Sequence, residues 1–238
     1  MLWRSLLGGA VSLTVGISAA VIAVLIGVSI GAISGYAGGR IDALCMRFVD
    51  VVYGLPYILL VVLISLALQP LVVLALRSVV KTDAADGLAS IVSILIAVGG
   101  VSWLTMARVI RGQVLSLRKQ PFVEAARACG LGPMRILLRH ITPNLVSPII
   151  VYATLAVPAA ILQESLLSFL GIGINPSVPS WGNMASAGLG ELDKLTITGG
   201  RMDWWLLLWP CLLLGLTLLS LNFLGDALRN RFDPQIAR

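Results

Sequence analysis

Five long stretches without a charged residue constrain this chain more than any other feature. They run between Arg4 and Arg40, between Asp50 and Arg77, between Asp86 and Arg108, from about Ile141 towards Glu164, and from Asp203 to Asp226. A helix needs about 20 predominantly apolar residues to cross the hydrocarbon core of a bilayer, and each stretch is that long. With 58% hydrophobic and 12% charged residues, the composition describes a chain surrounded mostly by lipid. We therefore predict an all-α polytopic transmembrane helical bundle of five spans, forming a single domain over residues 1–238.

A sixth uncharged run, from Ser165 to Gly190, is predicted to be a loop rather than a span. Its segment GIGINPSVPSWGNM carries three glycines, two prolines and two asparagines. In lipid these residues would leave backbone groups unpaired, so we expect a loop that dips into the protein at the membrane surface. The first span is much longer than the apolar region of a signal peptide, about 7–15 residues, and is expected to stay in the mature protein.

The distribution of Lys and Arg predicts the orientation of the spans. Seven of the seventeen basic residues lie between Arg108 and His140. Because cytoplasmic loops carry an excess of Lys and Arg, this loop is placed in the cytoplasm. Alternation along five spans then puts the C-terminus in the cytoplasm and the N-terminus outside, with twelve of the seventeen basic residues on the inner side. The net charge of +6 thus reflects topology and anionic lipid headgroups, and nucleic acid is not an expected partner.

The sequence contains no constellation that would make this chain an enzyme. Its single histidine, His140, falls at the cytosolic edge of the fourth span, with no partner at catalytic or metal-ligand spacing. The glycine-containing segments lack the lysine of a phosphate-binding loop, so ATP hydrolysis is expected on another chain. Cys45, Cys129 and Cys211 are scattered without pair or ligand spacing, which indicates reduced, packed thiols. No catalytic residue, metal site or cofactor is predicted.

The segment from about Pro121 to His140, PFVEAARACGLGPMRILLRH, is a basic island between two predicted spans. Pro121 suits the first position of a helix, and Glu124 falls in the first turn, where the helix dipole favours an anion. Gly130 and Pro133 supply a stop and a restart. The pattern predicts two short helices that meet at an angle.

The first of these helices is predicted to be a docking surface. Phe122, Ala126 and Cys129 share a face at helical spacing, and the small side chains of Ala125 and Ala126 let another backbone come close. A plain amphipathic connector is the alternative interpretation. The residues expected to dock are Phe122, Glu124, Ala125, Ala126, Cys129 and Gly130.

Glu124-Ala125-Ala126, followed by Gly130 and then by Pro143, resembles the EAA signature of permease subunits in bacterial ABC importers. The resemblance extends over nearly the whole chain, through VSWLTMARVIRGQVLSLRKQPFVEAARACG, LQESLLSFLGIGINPSVPSWGNM and LSLNFLGDALRNRFDP. These segments look like the dipeptide, oligopeptide and nickel branch of that family. Thr142 is a departure, because the family more often has leucine before the proline.

The resemblance implies a permease subunit of an ATP-driven ABC importer for peptides or a related small solute, in the inner membrane of a bacterium. The implied partners are a second homologous permease, two ATP-binding subunits, an extracytoplasmic solute-binding protein and membrane lipid. The 121–140 segment would be the coupling helix, which passes closure of the ATPases to the spans. Members of the family usually have six spans, so we expect that the first of the six is missing here.

Glu164 is the polar residue whose position most needs an explanation. Ionisable groups inside a membrane are costly and usually face the bundle interior or water, so Glu164 is predicted either to line a translocation path or to support assembly by holding backbone amides or a partner helix. The main alternative function is a secondary transporter or channel subunit that is not coupled to an ATPase. That function needs coupling-ion residues inside the membrane, and this sequence offers mainly Glu164.

Overall fold

The computed structural model describes residues 2–77, 84–198 and 204–232, and these residues are predominantly helical. A π-helical turn, Leu137–Ile141, and a 3-10 turn, Thr142–Leu145, follow the short helix α6 and lead into α7. The helices are α1 Leu2–Ala37, α2 Gly39–Tyr53, α3 Tyr57–Arg77, α4 Ala84–Leu117, α5 Pro121–Ala128, α6 Pro133–Ile136, α7 Val146–Phe169, α8 Trp181–Thr198 and α9 Trp205–Phe232.

The prediction of an all-α bundle with five spans is confirmed. Within the described residues, five helical segments are long and apolar enough to cross a membrane: Leu2–Ala37, Tyr57–Arg77, Ala85–Leu117, Pro133–Phe169 and Trp205–Arg231. Each of them contains or overlaps one of the predicted charge-free stretches. Many large apolar side chains on their outer faces, such as Leu25, Leu63 and Phe223, are exposed, as expected for surfaces that meet lipid or a partner chain.

A stripe of glycines packs α1 closely against α4. Gly27, Gly31 and Gly35 recur every four residues and therefore lie on one face of α1. A Cβ atom at Gly31 would lie 2.5 Å from the carbonyl oxygen of Ala107, and one at Gly35 would lie 2.9 Å from that of Arg111. Small residues in membrane helices let backbones approach in this way, because lipid supplies little hydrophobic force to drive helices together. The stripe makes α1 and α4 the central pair of the bundle.

The helix α2 was not anticipated from the sequence. It follows α1 after a turn in which Gly38 and Gly39 have φ angles of 65° and 55°, values that disfavour side chains other than glycine. It is amphipathic and half of its residues are polar or small, so it did not stand out as a charge-free run. Its last residues, Val52 and Tyr53, are followed by the three non-helical residues 54–56, after which α3 begins.

The prediction of a loop from Ser165 to Gly190 is wrong for most of that segment. Helix α7 continues to Phe169, where Gly171 (φ 77°) ends it, and α8 begins at Trp181. Only residues 170–180 form the loop. A polar side chain of this segment pairs the backbone groups that were expected to lack a partner. The Asn183 side-chain amide donates to the carbonyl oxygens of Ile174, Asn175 and Val178 at 3.0–3.1 Å.

Candidate functional site

The 121–140 segment contains the two predicted helices. Pro121 occupies the first turn of α5, and Gly130 ends that helix with a φ angle of 75°. The Gly130 amide donates to the Arg127 carbonyl at 2.9 Å, and the Leu131 amide donates to the Ala126 carbonyl at 3.2 Å. This pair of bonds is a Schellman motif, which satisfies the last carbonyls of a helix and requires a left-handed residue. The chain then restarts at Pro133, so the expected stop and restart are confirmed.

Helix α5 has an inner face and an outer face. Val123 and Ala126 are buried and belong to the same core cluster as Ile110 and Val114 near the end of α4. With only 7% of its surface exposed, Ala126 packs inside this chain. The expectation that Ala126 shares an outward face with Phe122 and Cys129 is therefore wrong. The residues of the predicted docking set that the structure leaves exposed are Phe122, Glu124, Ala125, Cys129 and Gly130.

Both ends of α5 are connected closely to long helices. Only residues 118–120 separate it from α4, and from Pro133 the chain is helical without interruption into α7. The π-helical and 3-10 turns arise at Pro143, which has no amide hydrogen to continue a regular α-helix. Thr142, the departure from the family pattern, donates its hydroxyl to the Leu137 carbonyl at 2.9 Å and so satisfies a carbonyl in the irregular turn.

Two arginines on α4 and a third just after its last residue bind α2 and the end of α1. Arg108, the first of the three along the chain, pairs with Asp50 at 2.8 Å. Arg111 pairs with Asp42 at 2.5 Å, and Ser34 of α1 donates to the same carboxylate at 2.5 Å. The neighbouring guanidinium lowers the pKa of Asp42 below its ordinary value of 3.8, with Ser34 assisting.

The third arginine, Arg118, donates to the carbonyl oxygen of Tyr36 at 3.1 Å. It lies against Gly38, where a Cβ atom would be 2.8 Å from the guanidinium. The guanidinium of Arg108 also lies 4.1 Å from the centroid of the Tyr53 ring, a cation–π geometry. In the sequence these arginines counted only towards orientation. The acidic partners of Arg108 and Arg111 are more than fifty residues away along the chain, so no local spacing indicated these two pairs.

Glu164 is completely buried in the described structure, surrounded by serine hydroxyls. Ser168 donates to its carboxylate at 2.8 Å and Ser165 does so at 3.3 Å, both from α7. Ser12 of α1 and Ser180 of the 170–180 loop also hydrogen-bond to it. A buried carboxylate requires several donors, and four hydroxyls provide them.

The same serines connect Glu164 to the backbone of the 170–180 loop. The Ile174 amide donates to the Ser168 hydroxyl at 3.1 Å, and the Trp181 amide donates to the Ser12 hydroxyl at 3.3 Å. The Trp181 indole also donates to the Ser5 carbonyl at 3.0 Å, in the space left by Gly9. Glu164 therefore lies at the centre of a network that ties α1, α7 and the loop together. The sequence did not indicate this network, because isolated serines carry no pattern.

Other chemical groups in the described part of the chain are few. No group of three or more His, Cys, Asp or Glu side chains that could hold a metal ion occurs among the described residues. Cys45, Cys129 and Cys211 are free cysteines, but Cys129 and Cys211 are exposed, so the prediction of packed thiols is wrong for these two.

Comparison with known proteins places this arrangement among membrane transport components. Residues 27–238 match the family described as the inner membrane component of binding-protein-dependent transport systems. The chain is 40% identical over 235 residues to the oligopeptide transport system permease protein OppC of Haemophilus influenzae, covering 99% of this chain and 67% of that protein. It is 41% identical over 235 residues to the dipeptide transport system permease protein DppC of Bacillus subtilis, covering 99% of this chain and 65% of that protein. The chain thus spans about two thirds of the length of these curated relatives.

A solved structure shares the fold. A chain of the MetNI methionine ABC transporter in an inward-facing conformation, from its native CY5 crystal form, superposes with a TM-score of 0.63. The sequence identity is 19%, and the match covers 98% of this chain and 97% of that chain. At this identity the likeness shows the fold alone, which is that of an ABC importer permease.

Proposed function

Because this chain belongs to the family of inner membrane components of binding-protein-dependent transport systems, we propose that it is the permease subunit of an ATP-driven importer for peptides or a related small solute. The named relatives support peptides as the substrate class, since they are an oligopeptide and a dipeptide permease protein. In this proposal a second homologous permease completes the path, two ATP-binding subunits dock from the cytoplasm, and a solute-binding protein delivers cargo from outside.

The observation that carries the proposal is the outward face of α5. Phe122 is 39% exposed, and Glu124, Ala125, Cys129 and Gly130 are exposed beside it. The opposite face of the same helix is buried in the core cluster formed with α4 and α6. A short helix that is fixed on one side and presents small and acidic residues on the other suits a groove in a partner protein. We propose that this partner is the ATPase subunit.

In the proposed mechanism, closure of the ATPases moves α5, and the bundle follows. Displacement of α5 reaches α4 through residues 118–120 and through the core cluster that Val123 shares with Ile110 and Val114. It then reaches α2 through the pairs Arg111–Asp42 and Arg108–Asp50. Because only residues 54–56 separate α2 from α3, movement of α2 is also passed to a membrane span. This chain of contacts supports rigid coupling between docking and rearrangement of the spans.

The alternative function, an ion-coupled transporter, would depend mainly on Glu164, and the surroundings of Glu164 do not suit that role. The carboxylate of Glu164 is enclosed by the hydroxyls of Ser12, Ser165, Ser168 and Ser180. A coupling site needs access to ions from both sides, and a carboxylate with no exposed surface supports an assembly role instead.

Two substitutions in the chain, assembled with its partner subunits, test the docking proposal. Glu124→Lys reverses the charge of an exposed side chain, and Gly130→Leu forces a bulky residue into the left-handed conformation that ends α5. Each variant should abolish uptake and reduce co-purification of the ATPase subunits at least about tenfold, while insertion into the membrane stays normal. Glu191→Lys is a charge-matched control on α8, far from α5 in the chain.

Two results would refute the docking proposal. Wild-type uptake by both α5 variants would show that this surface is not used. Loss of co-purification in Glu191→Lys to the same extent would show that the assay reports the chain's charge rather than a docking site.

A further inference from the structure

A cavity of about 470 Å³ lies between α1, α3, α4 and α7. Its described lining is predominantly apolar and aromatic, and contains no Asp, Glu, Lys, Arg or His side chain. A volume in this range is typical of small-molecule sites, in which a few placed polar groups fix the orientation of a ligand. The chemistry of this lining therefore favours a neutral ligand over a metal cation or a strongly charged solute.

The wall of the cavity includes the break between α2 and α3. Tyr53, Leu55 and Tyr57 all line the cavity, and they flank Gly54 and Pro56. Non-helical backbone within a membrane protein is tolerated where it is buried or lines a water-filled cavity. The break lies just before the span Tyr57–Arg77, and the amides of Gly54 and Leu55 donate to carbonyl oxygens at the end of α2. Side chains rather than free backbone groups are therefore the polar groups that this wall offers a ligand.

A chain of hydrogen bonds crosses the cavity wall from α4 through α3 to α7. The Tyr57 hydroxyl donates to the Gln163 carbonyl oxygen at 2.5 Å, which leaves it to accept from the Ser102 hydroxyl at 3.1 Å. Gln163 is thereby held in one orientation. Its amide nitrogen carries two further donors that bind no group within the described residues. A positioned amide donor at an apolar wall is complementary to a peptide carbonyl oxygen.

We propose that this cavity is a contact site for the neutral backbone of a peptide in transit, with Gln163 donating to a peptide carbonyl and the apolar wall receiving side chains. This inference rests on the proposed function and names the part of the path that touches the cargo. It also accounts for a broad range of peptides, because the backbone is common to all of them and the lining offers no charge that would select one side chain.

The test uses the transporter reconstituted with its own partner subunits and binding protein, supplied with an isotopically labelled mixture of peptides two to five residues long. Gln163→Met keeps the approximate size of the side chain but removes the donors, and Tyr57→Phe removes the bond that orients Gln163. Gln69→Met is the matched control, because Gln69 lies on α3 outside this cavity. Ala159→Trp places a large side chain at the cavity wall and leaves Tyr57, Ser102 and Gln163 themselves unchanged.

We expect Gln163→Met to lower peptide uptake roughly tenfold, with the amount of assembled complex and the ATPase rate unchanged, so that more ATP is hydrolysed per peptide imported. Tyr57→Phe should have a smaller effect of the same kind. Ala159→Trp should exclude the longest peptides of the mixture first, and Gln69→Met should resemble the wild type.

Three outcomes would overturn the inference. Wild-type uptake and wild-type ATP use by Gln163→Met and Ala159→Trp would show that cargo does not contact this cavity. A parallel fall of uptake, ATPase rate and assembled complex in Gln163→Met would assign the residue to packing alone. If the wild-type complex assembles and hydrolyses ATP but imports none of the peptides, the proposed substrate class itself is wrong, and the inference fails with it.

Discussion

Arg111 binds Asp42 through two arms of its guanidinium, with Nε 2.5 Å from Oδ1 and Nη2 2.6 Å from Oδ2 of the carboxylate. Ser34 donates to the same carboxylate, so one acidic side chain joins α1, α2 and α4. Only 13% of the Asp42 side chain and 32% of the Arg111 side chain are exposed. Both side chains are thus partly shielded from water, which strengthens a bidentate, charge-assisted pair.

The first prediction is that this pair contributes measurably to stability. A double-mutant cycle with Asp42→Asn and Arg111→Gln should give a coupling energy of about 2 kcal/mol, because charge-assisted bonds in a partly buried site are worth more than surface pairs. The measurement is denaturant or thermal unfolding of the purified complex in detergent. The pair Arg77–Asp86 is the matched control, since its side chains are 63% and 46% exposed. Its coupling should be below about 1 kcal/mol, and equal values for the two pairs would contradict the prediction.

The second prediction concerns the pH dependence of the same pair. Arg111 lowers the pKa of Asp42 below 3.8, so the stabilisation is complete above that ordinary value and is lost as the pH falls through the lowered pKa of the folded state. The coupling energy should therefore stay constant at neutral and mildly acidic pH and decrease only below 3.8. Repeating the double-mutant cycle at several pH values measures this, and a loss near neutral pH would contradict it.

The third prediction is that the glycine stripe of α1 tolerates no side chain. Gly31→Ala should destabilise the protein by about 1–3 kcal/mol, because its Cβ atom would lie 2.5 Å from a backbone oxygen that cannot move aside. Gly112→Ala on α4 is the control, since a Cβ atom there would meet nothing within 4 Å. That substitution should be neutral or stabilising by up to about 1 kcal/mol, because alanine favours helices. Thermal unfolding of both variants decides, and equal effects would contradict the close-packing interpretation.

The fourth prediction is that Glu164 supports assembly rather than substrate choice. Glu164→Leu leaves buried hydroxyls of Ser12, Ser168 and Ser180 without their acceptor, at a cost of about 2–4 kcal/mol. Glu164→Gln retains the shape and one acceptor, so more of the complex should survive. Quantifying assembled transporter by size-exclusion chromatography compares the two. Normal assembly of Glu164→Leu with an altered peptide profile would instead assign Glu164 to the translocation path.

The fifth prediction concerns topology. Cys129 and Ser177 are both exposed, but Cys129 follows α5 at one end of the bundle, whereas Ser177 lies in the 170–180 loop held near the first residues of α1 at the other end. A cysteine introduced at Ser177 should react with an impermeant maleimide in intact cells, and Cys129 should react only after permeabilisation. Cys211→Ser removes the other exposed thiol from both measurements. The reverse labelling pattern would overturn the proposed orientation.

The sequence predicted the elements whose signals are local. Five apolar stretches became five spans, and the Pro121, Gly130 and Pro133 pattern became two short helices. Such features depend on neighbouring residues, because desolvation of the backbone and turn geometry act over a few positions. Even so, the face of Ala126 was predicted wrongly, since the eight-residue helix gave no indication of which side α4 would cover.

Features that depend on contacts between distant residues were not predictable. Asp42 and Arg111 are 69 positions apart, and Tyr57 and Gln163 are 106 apart. Only the fold brings them together, through the glycine stripe that fixes α1 on α4 and the break that starts α3. The start of α8 was predicted to be a loop because of its polar composition. The backbone groups that bind Asn183 lie in the preceding 170–180 loop, and such contacts leave no periodic signal in the sequence.

In the proposed mechanism, the short connections on both sides of α5 determine how a displacement of this helix reaches the rest of the molecule. Three residues lead from α5 back to α4, and the four residues 129–132 lead on to the helical run that continues from Pro133 into α7, so α5 is tied closely to both long helices. A displacement of α5 in that mechanism would therefore be passed to α4 and α7 together, and both helices line the cavity described above. The irregular turns from Leu137 to Leu145 are the place where this helical run can bend, because they lack the regular α-helical hydrogen bonds of α7. Lengthening the connection at residues 118–120 should separate the movement of α4 from that of α5 and α7, and docking of the partner would then no longer drive transport.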